Sequence, residues 1–119
     1  MTTGDEAQDK IDISPAVIAT ITNQAVHQCY GVVGMASKNL IGGLAQALSP
    51  HSRRGIEVRY VEGAVEIDVY VIVQYGTRIR AVAESIQSTV AFHVEKALGA
   101  PVKAVNVYVQ GLRMTENNG

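Results

Sequence analysis

The histidines and the cysteine are the side chains in this sequence that could bind a metal ion or act as nucleophiles. The chain of 119 residues has three histidines, His27, His51 and His93, and a single cysteine, Cys29. His27 and Cys29 are two residues apart, and side chains at that spacing on a helix point in different directions. Cys29 also completes an apolar stripe, so we expect a small buried side chain there rather than a nucleophile. The sequence therefore predicts no metal site and no cofactor.

Three carboxylates form the next candidate group for chemistry. Glu57, Glu66 and Asp68 lie on the predicted outer face of a β-hairpin, where Arg59 accompanies them. Paired carboxylates can act as acid and base if their surroundings separate their pKa values. The sequence gives no sign of a pocket around them, so we expect a solvated charge cluster. No catalytic residue is assigned, and the protein is predicted not to be an enzyme.

Basic side chains leave nucleic-acid binding as the alternative function. Gly31-Val32-Val33-Gly34 formally matches a G-x-x-G phosphate clamp, but such a loop favours basic or polar residues over its central valines. Ten basic residues nearly balance eleven acidic ones, so the net charge of −1 gives no overall attraction to nucleic acid. A small nucleic-acid-binding domain would use residues that could converge near one edge: Lys38, Arg53, Arg54, Arg78 and Arg80.

The elements that position most of these side chains lie between Gly55 and Gly111. Alternating apolar residues predict a hairpin with strands Ile56–Val61 and Ala64–Tyr75. Apolar residues at helical spacing predict a helix from about Thr77, as its N-cap, to Leu98, and a closing strand follows from Val102 to Gln110. Strand, helix and strand in this order form a crossover, so the second and third strands should be parallel.

The turn Glu62-Gly63 sets the register of the hairpin. If Val61 pairs with Ala64, Arg59 opposes Glu66 and Glu57 opposes Asp68 on the outer face. A slip of one residue would turn the valines toward water, so the pattern itself defines the register. The residues predicted to share the core face are Ile56, Val58, Tyr60, Val65, Ile67 and Val69.

The first half of the chain carries weaker patterns. We predict a short strand at Ile11–Ile13, a helix from Ser14 and Pro15 to about Tyr30, and a brief strand over residues 31–36. The helix and its two flanking strands would repeat the crossover form, and residues 37–54 are predicted to be a flap or loop with a loosely packed apolar lid. The predicted fold class is α+β: a two-layer sandwich of a mixed β-sheet with two helices packed on one face, in the order β-α-β-β-β-α-β.

Composition places this domain inside the cell. Residues 1–10 are predicted to be a disordered tail, 11–112 a single domain and 113–119 a C-terminal tail. One cysteine rules out an internal disulfide, and the polar, acidic N-terminus is unlike a secretion signal. No apolar run approaches the ~20 residues that span a bilayer. We therefore predict a soluble, cytoplasmic protein.

Short motifs in a characteristic order give the chain a family resemblance. Together they resemble the alkaline shock protein family, small bacterial proteins linked to the envelope stress response, over about residues 11–112. The motifs are Ile13-Ser14-Pro15, Gly31-Val32, Gly55-Ile56, Val65-Glu66-Ile67-Asp68, Val73-Gln74-Tyr75-Gly76 and Val105-Asn106-Val107-Tyr108-Val109.

The resemblance implies a non-catalytic, cytoplasmic interaction protein. Members of the family are not known as enzymes, and some assemble with copies of themselves and are held at the membrane by a partner. A short branch of the family, which suits the length of this chain, is often encoded next to a kinase acting on fatty acids. The resemblance thus implies a homo-oligomer with a possible membrane-associated or fatty-acid-kinase-related partner, and it transfers no catalytic residues.

Exposed apolar residues are the candidate interface. At 100° per residue, Phe92 falls opposite the core stripe of the long helix. Tyr70, Ile72 and Tyr108 interrupt the polar pattern of the outer sheet face and could lie on neighbouring strands. A contiguous apolar patch often marks an interface. Self-association or partner binding is predicted to use these four residues, unless the N-terminal strand or the 37–54 segment covers them.

Overall fold

Two helices and five strands follow one another in the part of the chain that the structure describes. The computed structural model covers residues 12–36, 52–53 and 55–114, of which 52–53 by backbone alone. The predicted N-terminal tail and most of the 37–54 segment lie outside these residues. The elements are α1 (Pro15–Val26), β1 (Val32–Met35), β2 (Ser52–Arg53), β3 (Ile56–Val61), β4 (Ala64–Gln74), α2 (Ile79–Leu98) and β5 (Val102–Arg113).

Strand β4 is the centre of a mixed sheet. Strand β5 runs parallel to it on one side, which confirms the predicted crossover through α2. On the other side, β3 and β1 lie one after the other along β4, both antiparallel to it, and β2 extends β3 outward. The hairpin register is the predicted one: Val61 pairs with Ala64, and Glu57 opposes Asp68.

Both helices pack on one face of this sheet, which confirms the predicted α+β sandwich. The core joins the inward side chains of β3 and β4 to the apolar stripes of α1 and α2. Tyr60, predicted for the core face, is half exposed because it lies at the end of the sheet, where its hydroxyl donates to the Ile13 carbonyl. The large, fully buried apolar residues are Ile18, Val26, Ile56, Ile67, Val69, Val71, Val73, Ile86, Val90 and Val94.

The helix ends follow local chemistry, with two corrections. Ser14 and Pro15 occupy the predicted N-cap and first helical positions. Helix α1 ends at Val26 rather than near Tyr30, and irregular turns lead to Gly31, whose φ of 92° suits glycine. Thr77 is not the N-cap of α2, because its hydroxyl donates to the Gln74 carbonyl (2.7 Å) and the helix begins two residues later.

The predicted first strand is wrong for the residues that the structure describes. Asp12 and Ile13 have no strand structure, because the backbone at Ile13 bonds to the Tyr60 side chain rather than to a strand. The proposed second crossover fails with it, since β1 is antiparallel to β4. The observed order is therefore α-β-β-β-β-α-β, with the additional short strand β2.

Candidate interaction surface

A stacked pair of tyrosines lies at the middle of the outer sheet face. Tyr70 on β4 and Tyr108 on β5 are neighbours in the parallel register, and their ring centroids are 4.8 Å apart with an interplanar angle of 16°. Tyr70 is only 9% exposed, whereas Tyr108 is 41% exposed. The prediction that Tyr70 is exposed is therefore wrong, because its ring lies against the ring of Tyr108, and of the two tyrosines Tyr108 is the accessible one.

Ile72 lies beside the stack, between two glycines. Gly34 on β1 and Gly111 on β5 are its partners in the two flanking strands. A Cβ at Gly34 would meet no heavy atom within 4 Å, and a Cβ at Gly111 would only touch Ile72 at 4.0 Å. The side chain of Ile72 therefore rises between two shallow notches in the sheet surface. We define Tyr70, Ile72 and Tyr108 as the outer-face patch.

A charged cluster adjoins this patch along β4. Arg59 donates two hydrogen bonds to the carboxylate of Asp68, at 2.6 and 3.2 Å. Asn106 on β5 donates to Asp68 (2.9 Å) and to Glu66 (3.3 Å). The pKa of Arg59 is raised, first by its hydrogen bond to Asp68, against the opposing effect of its partial burial. The three strands are thus joined by charged hydrogen bonds on the outer face.

The expectation of a solvated cluster is wrong for Asp68, which is 5% exposed. Its neighbours across and along the sheet exclude water, and Arg59 compensates the buried charge. Arg59 also lies within 3.8 Å of Glu57 and 3.5 Å of Glu66, so it relieves the predicted repulsion between Glu57 and Asp68. These carboxylates are engaged in holding strands together, an arrangement that offers no open acid–base pair.

Phe92 is exposed as predicted but lies far from the outer-face patch. It is 57% exposed on the solvent side of α2, whereas the opposite side of that helix packs on the inner face of the sheet. Its ring meets that of His93 edge-on at 5.2 Å, and the Lys96 ammonium lies 5.6 Å from its centroid. The structure therefore brings three of the four predicted interface residues together and places the fourth in the other layer.

The cysteine and the histidine at the C-cap of α1 contact backbone carbonyls. Cys29 is buried and approaches the Ala25 carbonyl at 3.6 Å, and His27 contacts the Asn23 carbonyl at 2.8 Å. Across residues 12–36 and 55–114 no three His, Cys, Asp or Glu side chains group as metal ligands would. His51, Lys38 and Arg54 lie outside the described residues, and only the backbone is described at Arg53.

Arg78 and Arg80 are the two described members of the basic set, and both are exposed at the start of α2. Arg80 lies 3.8 Å from Glu84 one turn along the helix. The convergence of five basic residues therefore stays a prediction. Neither helix in the described chain is long and apolar enough to cross a membrane.

A groove beside α2 was not anticipated from the sequence. It lies between that helix and β5, has a volume of about 350 Å³, and is lined by Ile79, Arg80, Ala83, Glu84, Gln87 and Val107. One signal was present: Ile79 extends the apolar stripe of α2 yet is 41% exposed. An apolar residue that lies on the core stripe of a helix and is nevertheless exposed indicates that no element packs against the helix at that position.

The fold and the surface define a class: a small two-layer α+β domain whose described helices both cover the same sheet face. Residues 3–114 match the model of the alkaline shock protein 23 family, described as having a cell envelope-related function. The chain belongs to this family, as the resemblance had implied.

Relatives in two bacteria match most of the chain. The uncharacterized protein YloU of Bacillus subtilis is 46% identical over 108 residues, 89% of this chain and 90% of its own length. The uncharacterized protein Spy1614 of Streptococcus pyogenes is 36% identical over 110 residues, 91% of each chain. Among solved structures, a MamM CTD has a TM-score of 0.46 at 16% identity and covers 84% of this chain and 94% of its own.

Proposed function

We propose that this protein is a non-catalytic interaction protein of the cell envelope that self-associates and binds protein partners through its outer sheet face. The observation that carries the proposal is the outer-face patch. Two rings and an isoleucine stand on a sheet face that no described helix covers. Contiguous apolar and aromatic groups bordered by polar ones are typical of interface centres.

The chemistry around the patch supports binding rather than catalysis. Asp68, Glu66 and Arg59 are engaged with one another and with Asn106. A general acid or base needs a proton-transfer partner at a substrate position, and these groups instead direct their hydrogen bonds across the strands. They give the patch a polar border beside its apolar centre, which is how interface rims are built.

The proposal is tested by replacing the exposed ring of the stack. Tyr108→Ser removes the accessible aromatic surface while leaving Tyr70 and the core in place. We expect the dissociation constant for self-association to rise roughly tenfold, the loss typical of an aromatic interface anchor. Sedimentation equilibrium measures this constant, and Phe92→Ser, in the other layer, tests whether that residue contributes a second contact.

Tyr30→Ser is the matched control, because Tyr30 is also exposed but lies in the turns between α1 and β1, beside α2 and away from the patch. Its association should equal that of the wild type. A wild-type protein that stays monomeric at roughly 100 micromolar would overturn the proposal, since even a weak complex forms in that range. Equal weakening by Tyr108→Ser and Tyr30→Ser would overturn the assignment to the patch.

A further inference from the structure

The sheet and the helix layer end at the same side of the domain, the sheet with β5 and the helix layer with α2. In the described chain β5 pairs only with β4, and no described strand lies along its other edge. Helix α2 packs against α1 on one flank, and its other flank, which carries Ile79, Ala83 and Gln87, has no helix beside it among the residues that the structure describes. We call β5 and this flank of α2 the open edge. A strand edge of twelve residues is a template for pairing with another strand.

The groove between α2 and β5 adds a place for side chains to the strand edge. Its floor is apolar where Ile79, Ala83 and Val107 line it. A strand that joins a sheet beside a helix gains main-chain hydrogen bonds from the edge and buries side chains in such a groove. Both sources of binding energy are thus available at the open edge.

Gln87 links the two parts of the open edge by a hydrogen bond. Its side-chain amide donates to the Val105 carbonyl at 3.0 Å, so a residue of the helix satisfies one backbone group of the strand. Native proteins often shield an edge strand in this way. The shield reaches one carbonyl of a long strand, and a side-chain amide can move aside when a better-aligned partner arrives.

The charges at the rim of the groove are self-complementary. Arg80 and Glu84 flank Ala83 on the helix and are largely exposed. A two-fold axis passing near Ala83 would bring Arg80 of one copy to Glu84 of the other, and the reverse, since a two-fold interface repeats each contact. Val107 lies at the middle of β5, so the same axis also centres an antiparallel pairing of β5 with itself.

We propose that the open edge pairs with the same edge of a second copy, β5 antiparallel to β5, about a two-fold axis close to Ala83 and Val107. The pairing extends the sheet through both copies and covers the groove on each. It goes beyond the proposed function by adding a second surface. The outer-face patch remains accessible on the joined sheet, so the two surfaces together support assemblies larger than a dimer.

A bulky charge at the axis tests the pairing. Ala83→Arg places two cations opposite each other at the two-fold axis and fills the groove. Arginine is a good helix former, so α2 should be retained, as circular dichroism would show. The pairing is measured in an Ile72→Ser background, which changes the outer-face patch on β4 and leaves β5 intact. We expect Ala83→Arg to raise the dissociation constant of that background at least roughly tenfold.

Ala81→Arg is the matched control, because Ala81 is an exposed alanine on the flank of α2 that faces away from the groove. Its association should be unchanged. Equal association of the Ala83→Arg and Ala81→Arg proteins would overturn the pairing. If the Ala83→Arg change has no effect while Tyr108→Ser still weakens assembly, the edge proposal fails and the proposed function stands.

Charge reversal tests the two-fold axis directly. Arg80→Glu alone and Glu84→Arg alone each set like charges against each other across the axis, and each should weaken self-association roughly tenfold. An equimolar mixture of the two variants should restore binding, because each chain then meets opposite charges on its partner. A contact within one helix cannot produce recovery on mixing. A mixture that associates no better than its components would overturn the proposed geometry.

Discussion

At the scale of single residues, Asp68 decides the character of the outer sheet face. It is a buried carboxylate on the central strand, held by Arg59 from β3 and Asn106 from β5. A buried charge without its counter-ion is strongly unfavourable, so this group requires both flanking strands in their observed register. Asp68 therefore contributes to strand alignment.

Removing the cation should expose this dependence. Arg59→Met leaves the Asp68 carboxylate buried without its guanidinium, and we expect the free energy of unfolding to fall by about 2 kcal/mol, less than for a fully buried pair because Arg59 is partly exposed. Urea denaturation measures the change. Arg80→Met, which removes an exposed partner of Glu84, should cost no more than about 0.5 kcal/mol.

The difference between the wild type and Arg59→Met should be constant between roughly pH 6 and 9. A raised pKa means that the contribution of Arg59 is present below its ordinary pKa and is lost only as the pH rises past the higher folded-state value. Equal losses in the Arg59→Met and Arg80→Met proteins would contradict the structural role assigned to Asp68.

At the scale of elements, strand β4 aligns three other strands, and Tyr70 marks the point where two of them meet. The Ala36 amide donates to the Tyr70 carbonyl at 2.9 Å, and the Tyr70 amide donates to the Gly55 carbonyl at 2.8 Å. The end of β1 and the approach to β3 are therefore bonded to the same residue. Gly55 has a φ of 81° and lies close to both neighbouring backbones.

Gly55→Ala tests how tightly this meeting point is packed. A Cβ there would lie 2.7 Å from the Ala36 carbonyl oxygen and 2.9 Å from that of Tyr70. We expect a loss of at least about 3 kcal/mol, from backbone strain at positive φ and from displacement of the strands. Thermal or urea denaturation measures it.

Gly63→Ala is the control for the backbone strain alone. Gly63 has a φ of 82°, but a Cβ there would meet no heavy atom within 4 Å. Its replacement should cost only about 1 kcal/mol. If the two substitutions cost the same, close packing of β1 and β3 at Tyr70 is not a determinant of stability.

At the scale of the whole molecule, helices cover one sheet face, and no element of residues 12–36 and 55–114 covers the other. Both helices lie on the inner face, so the core is enclosed there, while the outer face carries the patch and the charged cluster. The sheet is also asymmetric from side to side, because β5 ends it at the open edge. These are the two surfaces that we propose for association.

Amide hydrogen exchange should report this asymmetry. Peptides from β4, which is paired on both sides, should exchange slowest at every protein concentration, since they open only with global unfolding. Peptides from β5 should exchange faster in dilute protein and become slower as concentration rises. The Ala83→Arg protein should lose that concentration dependence, and its persistence would argue against pairing through β5.

Sequence patterns defined the parts of this fold that depend on periodicity. The hairpin register could be derived because a slip of one residue would expose every valine of the strands. The parallel pairing of β4 and β5 followed from the order strand, helix, strand, which forms a crossover. The predicted first strand failed at Asp12 and Ile13, because a pattern of three residues is too short to distinguish a strand from a segment whose backbone bonds to a side chain.

By itself, then, the sequence determined the two-layer architecture, the faces of β3, β4, α2 and β5, and the exposure of Phe92 and Tyr108. Only the tertiary structure decided that Asp68 is buried, that Ile72 stands between Gly34 and Gly111, and that Phe92 is remote from the tyrosines. Periodicity reports which side of an element is apolar, because that depends on neighbours along the chain. The burial of a given side chain depends on which strands lie beside it, and that is settled only when the sheet assembles.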